Sequence, residues 1–205
     1  MRRIALLTGF LALLAAGTAR ADTIEVRDVV LRTVEEGLVL DADFEFELTP
    51  RLAEVVANGV PLYFRVEFEL TRSRWYWFDE RAASRVLQMR LSYHALSRHY
   101  RLSAGMQPER FMLQQNFATL EEALNVLKRV RNWLVVERSV SLSGDYEAAV
   151  RMRHDVSLLP KPFQLSALTA RDLHLDSAWH RFTVRALEQA PAPVESRDLQ
   201  RAPPR

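Results

Sequence analysis

Leu38-Val39-Leu40-Asp41-Ala42-Asp43-Phe44-Glu45-Phe46-Glu47-Leu48 is the most regular stretch of the chain, with apolar even positions and, Val39 excepted, acidic odd ones. A strand with one buried and one solvated face requires that alternation. The pattern recurs in Phe64, Val66, Phe68 and Leu70 against Arg65, Glu67 and Glu69, and in Leu87, Met89, Leu91 and Tyr93 against Gln88, Arg90 and Ser92. One-sided strands of this kind belong to antiparallel sheets. Residues 24–32, 98–103, 110–117, 146–158 and 179–187 are further candidates, giving roughly eight or nine strands.

Between the strands, Gly37, Gly59, Gly105 and Gly144 each fall where alternation stops, and they read as turn and cap residues. Two helices are expected. The first has Thr49 as N-cap, Pro50 at its first position and Gly59 just past its end. The second spans residues 120–131: Thr119 and Glu122 form a capping box, Glu121 and Glu122 sit in the first turn, and Lys128, Arg129 and Arg131 sit in the last. Its apolar stripe is Leu120, Ala123, Leu124, Leu127 and Val130. The expected fold is mainly β, an antiparallel two-layer β-sandwich, immunoglobulin-like in general architecture, with two short helices. The alternative is an α+β arrangement with the second helix packed on one face of an antiparallel sheet.

The 205 residues divide into three parts. Residues 1–21 read as a signal peptide, with Arg2 and Arg3 in the positive region, an apolar run at 4–16 and Ala19-Arg20-Ala21 as the cleavage motif. Cleavage after Ala21 makes the protein periplasmic, and the apolar run is shorter than the ~18 residues of a membrane span. Residues 22–188 form a single β-rich domain. Residues 189–205 carry four prolines without apolar periodicity and read as a disordered tail. The formal charge is +2, but Arg2, Arg3 and Arg20 lie in the leader, so the remainder is close to neutral. That gives no electrostatic reason to expect nucleic acid or an anionic membrane surface as partner. With no cysteine, disulfides, thiol chemistry and a cysteine-linked lipid anchor are all excluded.

Among residues that carry chemistry, the run Arg74, Trp75, Tyr76, Trp77 and Phe78 stands out. Trp75 and Trp77 fall out of phase with the even inward positions of Phe64 to Leu70, so a bulge near residues 71–74 is needed to reset the register. Four consecutive aromatics put large apolar groups on both strand faces; one face fills the core, and the other is either covered by the second helix or the tail or is the candidate binding patch, since Trp, Tyr and Arg dominate interaction hot spots. His94 and His99 flank a short link that would set them opposite each other, with Tyr93 and Tyr100 paired on the buried side. Two imidazoles lack the third protein ligand zinc wants, so no metal is expected there. Asp172, His174 and Asp176 would share one strand face, yet no nucleophile elbow or oxyanion loop accompanies them, and no catalytic residue is assigned. The acids Asp41, Asp43, Glu45 and Glu47 lack calcium-loop geometry and are expected to face Arg65, Arg151 and Arg153 on neighbouring strands. The segment Leu159-Pro160-Lys161-Pro162-Phe163 reads as a stiff polyproline-like connection. No cofactor is expected.

Five segments in this order carry a family resemblance: Arg74-Trp75-Tyr76-Trp77-Phe78-Asp79-Glu80; Leu91-Ser92-Tyr93-His94-Ala95-Leu96 with Tyr100-Arg101-Leu102-Ser103; the capped helix at 120–131; Leu159-Pro160-Lys161-Pro162-Phe163; and Ser177-Ala178-Trp179. The chain resembles the secreted proteobacterial family named domain of unknown function 4390 over about residues 24–184. That resemblance implies a periplasmic protein often encoded beside a membrane sensor kinase, and it supplies no catalytic residue. The expected function is therefore a non-catalytic periplasmic interaction or sensing accessory whose partner is an envelope protein. A carrier of an apolar or envelope-lipid ligand is the alternative, and a metal-dependent or His/Asp hydrolase a third.

Overall fold

The computed structural model describes residues 23–72, 80–106, 113–140, 142, 144–167 and 171–185. The leader at 1–21, the aromatic run Arg74, Trp75, Tyr76, Trp77 and Phe78, and the tail at 189–205 lie outside the described residues. Strands β1 (Glu25–Val34), β2 (Gly37–Glu45) and β7 (Arg129–Glu137) form one sheet in the order β1-β2-β7. Strands β3 (Leu62–Arg72), β4 (Glu80–His94), β5 (His99–Gly105), β6 (Leu113–Phe117), β8 (Asp145–His154) and β9 (His180–Arg185) form the other, ordered β6-β5-β4-β3-β8-β9. All neighbouring strands are antiparallel, and the fold is the β-sandwich its alternation implies.

The inward positions of both sheets meet in one core. Leu40, Phe64, Val66, Phe68, Leu70, Leu91, Val135, Val150 and Met152 have no measurable exposure. Burial of each large side chain contributes about 1.5–3 kcal/mol before the entropy of ordering is counted. Phe46 stacks on Phe64 with ring centroids 5.6 Å apart, carrying the core from the end of β2 to β3. The register between β3 and β4 shifts between Leu70 and Thr71, a bulge next to the position where the sequence requires a change of phase.

Helix α1 (Pro50–Ala57) is built as its caps dictate, with Leu52 N–H donating to Thr49 Oγ1 at 3.1 Å. Helix α2 (Leu120–Leu127) begins at the expected cap, Glu122 N–H donating to Thr119 Oγ1 at 3.2 Å, while the Glu122 carboxylate takes the Ala118 N–H at 3.1 Å. Its end corrects the sequence reading. The helix stops at Leu127, so Lys128, Arg129 and Arg131 are not its last turn; Arg129 opens β7, and Val130 is a buried strand residue. The physical reason is the β-branched and aromatic run Trp133-Leu134-Val135-Val136, which fits a pleated, half-buried surface, and pairing with β2 recruits the residues before it.

A third helix, α3 (Lys161–Ala167), replaces the expected polyproline-like connection. Pro160 and Pro162 sit at its start, where a missing N–H costs nothing, and the Pro160 carbonyl accepts from Phe163 N–H at 2.9 Å and Gln164 N–H at 3.2 Å. Strand β8 likewise ends earlier than its alternation suggests, because the Asp155 carboxylate caps a single 3-10 turn, Val156–Leu158. Among the described residues no helix is long and apolar enough to cross a membrane.

Candidate functional site

Alternation on the six-stranded sheet sends Tyr63, Arg65, Glu67 and Glu69 of β3 away from the core, beside Gln88 and Arg90 of β4 and Arg151 and Arg153 of β8. An outward face normally leaves such side chains in water. Here Glu67 is 8% exposed, because three guanidinium groups close over it. Arg153 Nη2 donates to Oε1 at 3.0 Å, and Arg151 Nε donates to Oε2. Arg65 Nε stands 2.9 Å from Oε1 as an ion pair without a hydrogen bond's alignment, while its Nη1 lies 3.5 Å from Asp155 Oδ2. The Trp179 ring covers Arg151 from outside, 4.3 Å from centroid to Cζ, in a cation–π stack that adds about 0.5–1 kcal/mol where partly exposed. Three arginines against two carboxylates leave this cluster cationic.

The acids of β2 do not join it, contrary to expectation. They belong to the other sheet, where Asp41 binds Arg32 at 2.7 Å, Asp43 binds Arg131 and Glu45 binds Lys128 at 3.0 Å. The Asn132 N–H donating to Asp41 at 2.7 Å, aided by Arg32, holds that carboxyl below its ordinary value; the Lys128 hydrogen bond does the same for Glu45.

On the far half of the large sheet, His94 pairs with His99 and Tyr93 with Tyr100, as the hairpin spacing requires, and the tyrosine rings are 4.9 Å apart. The His99 ring turns back to the Ser97 carbonyl, whereas His94 Nε2 is buried without a hydrogen-bond partner. Among the described residues no group of three or more His, Cys, Asp and Glu could hold a metal ion.

Asp172, His174 and Asp176 are not on a strand. Residues Arg171–Leu173 form a 3-10 turn, and Asp176 makes only isolated bridges to Thr23 and Arg153. Leu173 and Leu175 do point inward and the three polar residues outward, so the alternation is real, but capture by main-chain bonds to other elements breaks the strand. The Asp172 carbonyl accepts from Thr49 Oγ1 at 2.6 Å, and the Leu175 carbonyl accepts from His154 N–H at 2.7 Å.

His154, which the sequence reading passed over, anchors this strap from within the core. It is 3% exposed, its ring lies 5.4 Å from Phe64, and its Nδ1 lies 2.8 Å from the Leu173 carbonyl. The even positions of β8, Tyr146, Ala148, Val150 and Met152, already pointed it inward. Burial lowers its pKa below the ordinary 6.5, outweighing the opposing pull of the Leu173 carbonyl, Asp155 and Asp176. The unfolded chain therefore takes up a proton near pH 6.5 that the folded chain refuses. Stability is complete above pH 6.5 and is expected to fall by up to about 1.4 kcal/mol per pH unit below it, until the folded-state pKa is reached. The lowered carboxyls Asp41 and Glu45 act only below about pH 4.5, outside that window. Urea titrations between pH 8 and pH 5 check this, and His154→Gln should flatten the slope.

A family model matches residues 21–183. No curated protein and no solved structure matches the chain. With its landmark segments in order and the match spanning most of its length, the chain belongs to the DUF4390 family, a domain of unknown function.

Proposed function

We propose that this chain is a non-catalytic interaction protein of the cell envelope, exported by the leader at its start and serving as an accessory to a membrane-bound partner such as a sensor kinase. The observation that supports this reading most directly is the Trp179–Arg151–Glu67 cluster. It offers a partly buried tryptophan stacked on an arginine that ion pairs hold in place on the sheet. Trp and Arg held with little freedom left to lose are the residues that carry protein–protein affinity. A hydrolase reading has less support, since Asp172, His174 and Asp176 serve through their backbone as a structural strap.

The test is capture of envelope proteins on the immobilised chain, with Trp179→Ala beside wild type. Trp179→Ala is expected to cost about 2 kcal/mol or more of partner affinity while the chain still unfolds in one cooperative transition, its loss of stability coming from the buried part of the ring. Failure to retain any envelope protein above a blank matrix would overturn the interaction function.

A further inference from the structure

The two sheets have four edges: β1 and β7 on the small sheet, β6 and β9 on the large one. An unpaired edge is a template for another strand, and proteins blunt it with charge, proline or cover. Three of the four are blunted. Strand β1 carries Glu25, Arg27, Asp28 and Arg32; β7 carries Arg129, Arg131 and Glu137; β9 carries His180, Arg181 and Arg185. Strand β6, Leu113-Gln114-Gln115-Asn116-Phe117, has neither charge nor proline. Its first four residues are exposed, Leu113 to 65%, and among the described residues only β5 pairs with it.

Behind that edge this end of the sheet is free of acid. Residues 88–94, 99–105 and 113–117 contain no Asp or Glu. Arg101 Nε donates to Asn116 Oδ1 at 3.1 Å, so its guanidinium lies against the edge strand. A strand added about 4.8 Å beyond β6 would place alternate side chains opposite Asn116 and within reach of Arg101, and the others beside Leu113 and Phe117.

We infer that β6 is a docking edge for an extended segment of a partner protein, one that alternates acidic with apolar residues and joins the sheet by β-augmentation. Charge selects this occupant over a second copy of the chain, whose own β6 would bring Arg101 towards Arg101 with no carboxylate between them.

The probe is a peptide of alternating glutamate and valine, with a lysine-for-glutamate version as control, titrated against the full chain while amide exchange is followed. Saturable binding of the glutamate peptide with slowed exchange at residues 113–117 is expected. Leu113→Lys and Arg101→Gln should each weaken binding by about ten-fold or more while melting like wild type. No binding up to the peptide's solubility limit, equal binding of the lysine peptide, or protection elsewhere overturns the inference. Slow exchange at β6 in the free chain overturns it too, marking a second copy as occupant if it depends on protein concentration and the chain's own residues if it does not. The site is independent of Trp179. An envelope partner retained undiminished by Leu113→Lys but lost with Trp179→Ala removes the β6 site and leaves the interaction function standing.

Discussion

Glu67→Gln is expected to destabilise the domain by about 2–3 kcal/mol, among the largest effects of any isosteric substitution in this chain. The shape is kept and only the charge removed, but that charge is what three guanidinium groups converge on. Without it, Arg65, Arg151 and Arg153 repel one another on adjacent strands, with Asp155 reaching only Arg65. The figure lies below the 3–5 kcal/mol of a fully buried pair because the arginine side chains keep 28–36% of their exposure, and water screens part of the repulsion. Two measurements check it. Raising salt should recover part of the loss, and Arg153→Gln in the Glu67→Gln background should cost less than Arg153→Gln alone. Additive effects of the two substitutions would show that Glu67 and Arg153 share no net interaction energy and that the carboxylate does not hold the cluster together.

Gly37→Ala should be at least as damaging, for a steric reason. Gly37 opens β2 with φ at +145°, and a Cβ there would lie 2.0 Å from the Val136 carbonyl oxygen and 2.9 Å from the Arg138 nitrogen. Both are backbone atoms of the strand paired with β2 and its continuation, so relief means parting β2 from β7. A loss of about 3 kcal/mol or more in urea unfolding is expected, combining the strained φ with the broken pairing. Gly59→Ala is the control: its φ is +84°, but nothing lies within 4 Å of the added atom, so only the backbone penalty of about 1 kcal/mol applies. Equal losses at the two positions would show that φ alone, and not the approach of β7, decides.

What the sequence discloses here is whatever depends on neighbours in the chain. Alternation between Leu38 and Leu48 or Phe64 and Leu70 reports burial directly, and the cap at Thr49 and the pairing of Tyr93 with Tyr100 follow from a few residues of spacing. The Glu67 cluster was illegible for the opposite reason. Its arginines on β8 are 84 and 86 residues away, and nothing local says that β8 lies against β3 and not against β2, which is why the β2 acids were matched to the wrong cations. Strand β7 was hidden by a good helix before it, whose stripe continues in register through Val130. The alternation at 173–175 gave the correct facing and the wrong element, since a strap pinned by its carbonyls to Thr49 and His154 buries alternate residues as a strand does.

The order of pairing also sets a timetable. Strand β2 waits for β7, and β3 for β8, so β2 cannot gain its second neighbour before residue 129 is available, nor β3 before residue 145. The N–H of Ile24 waits longest, for the carbonyl of Asp176. Contacts of such long separation fold in milliseconds to seconds, not microseconds, because the entropy of closing each loop is spent before the contact rewards it. A growing chain therefore has local hairpins and no closed sandwich until nearly all of it has been made.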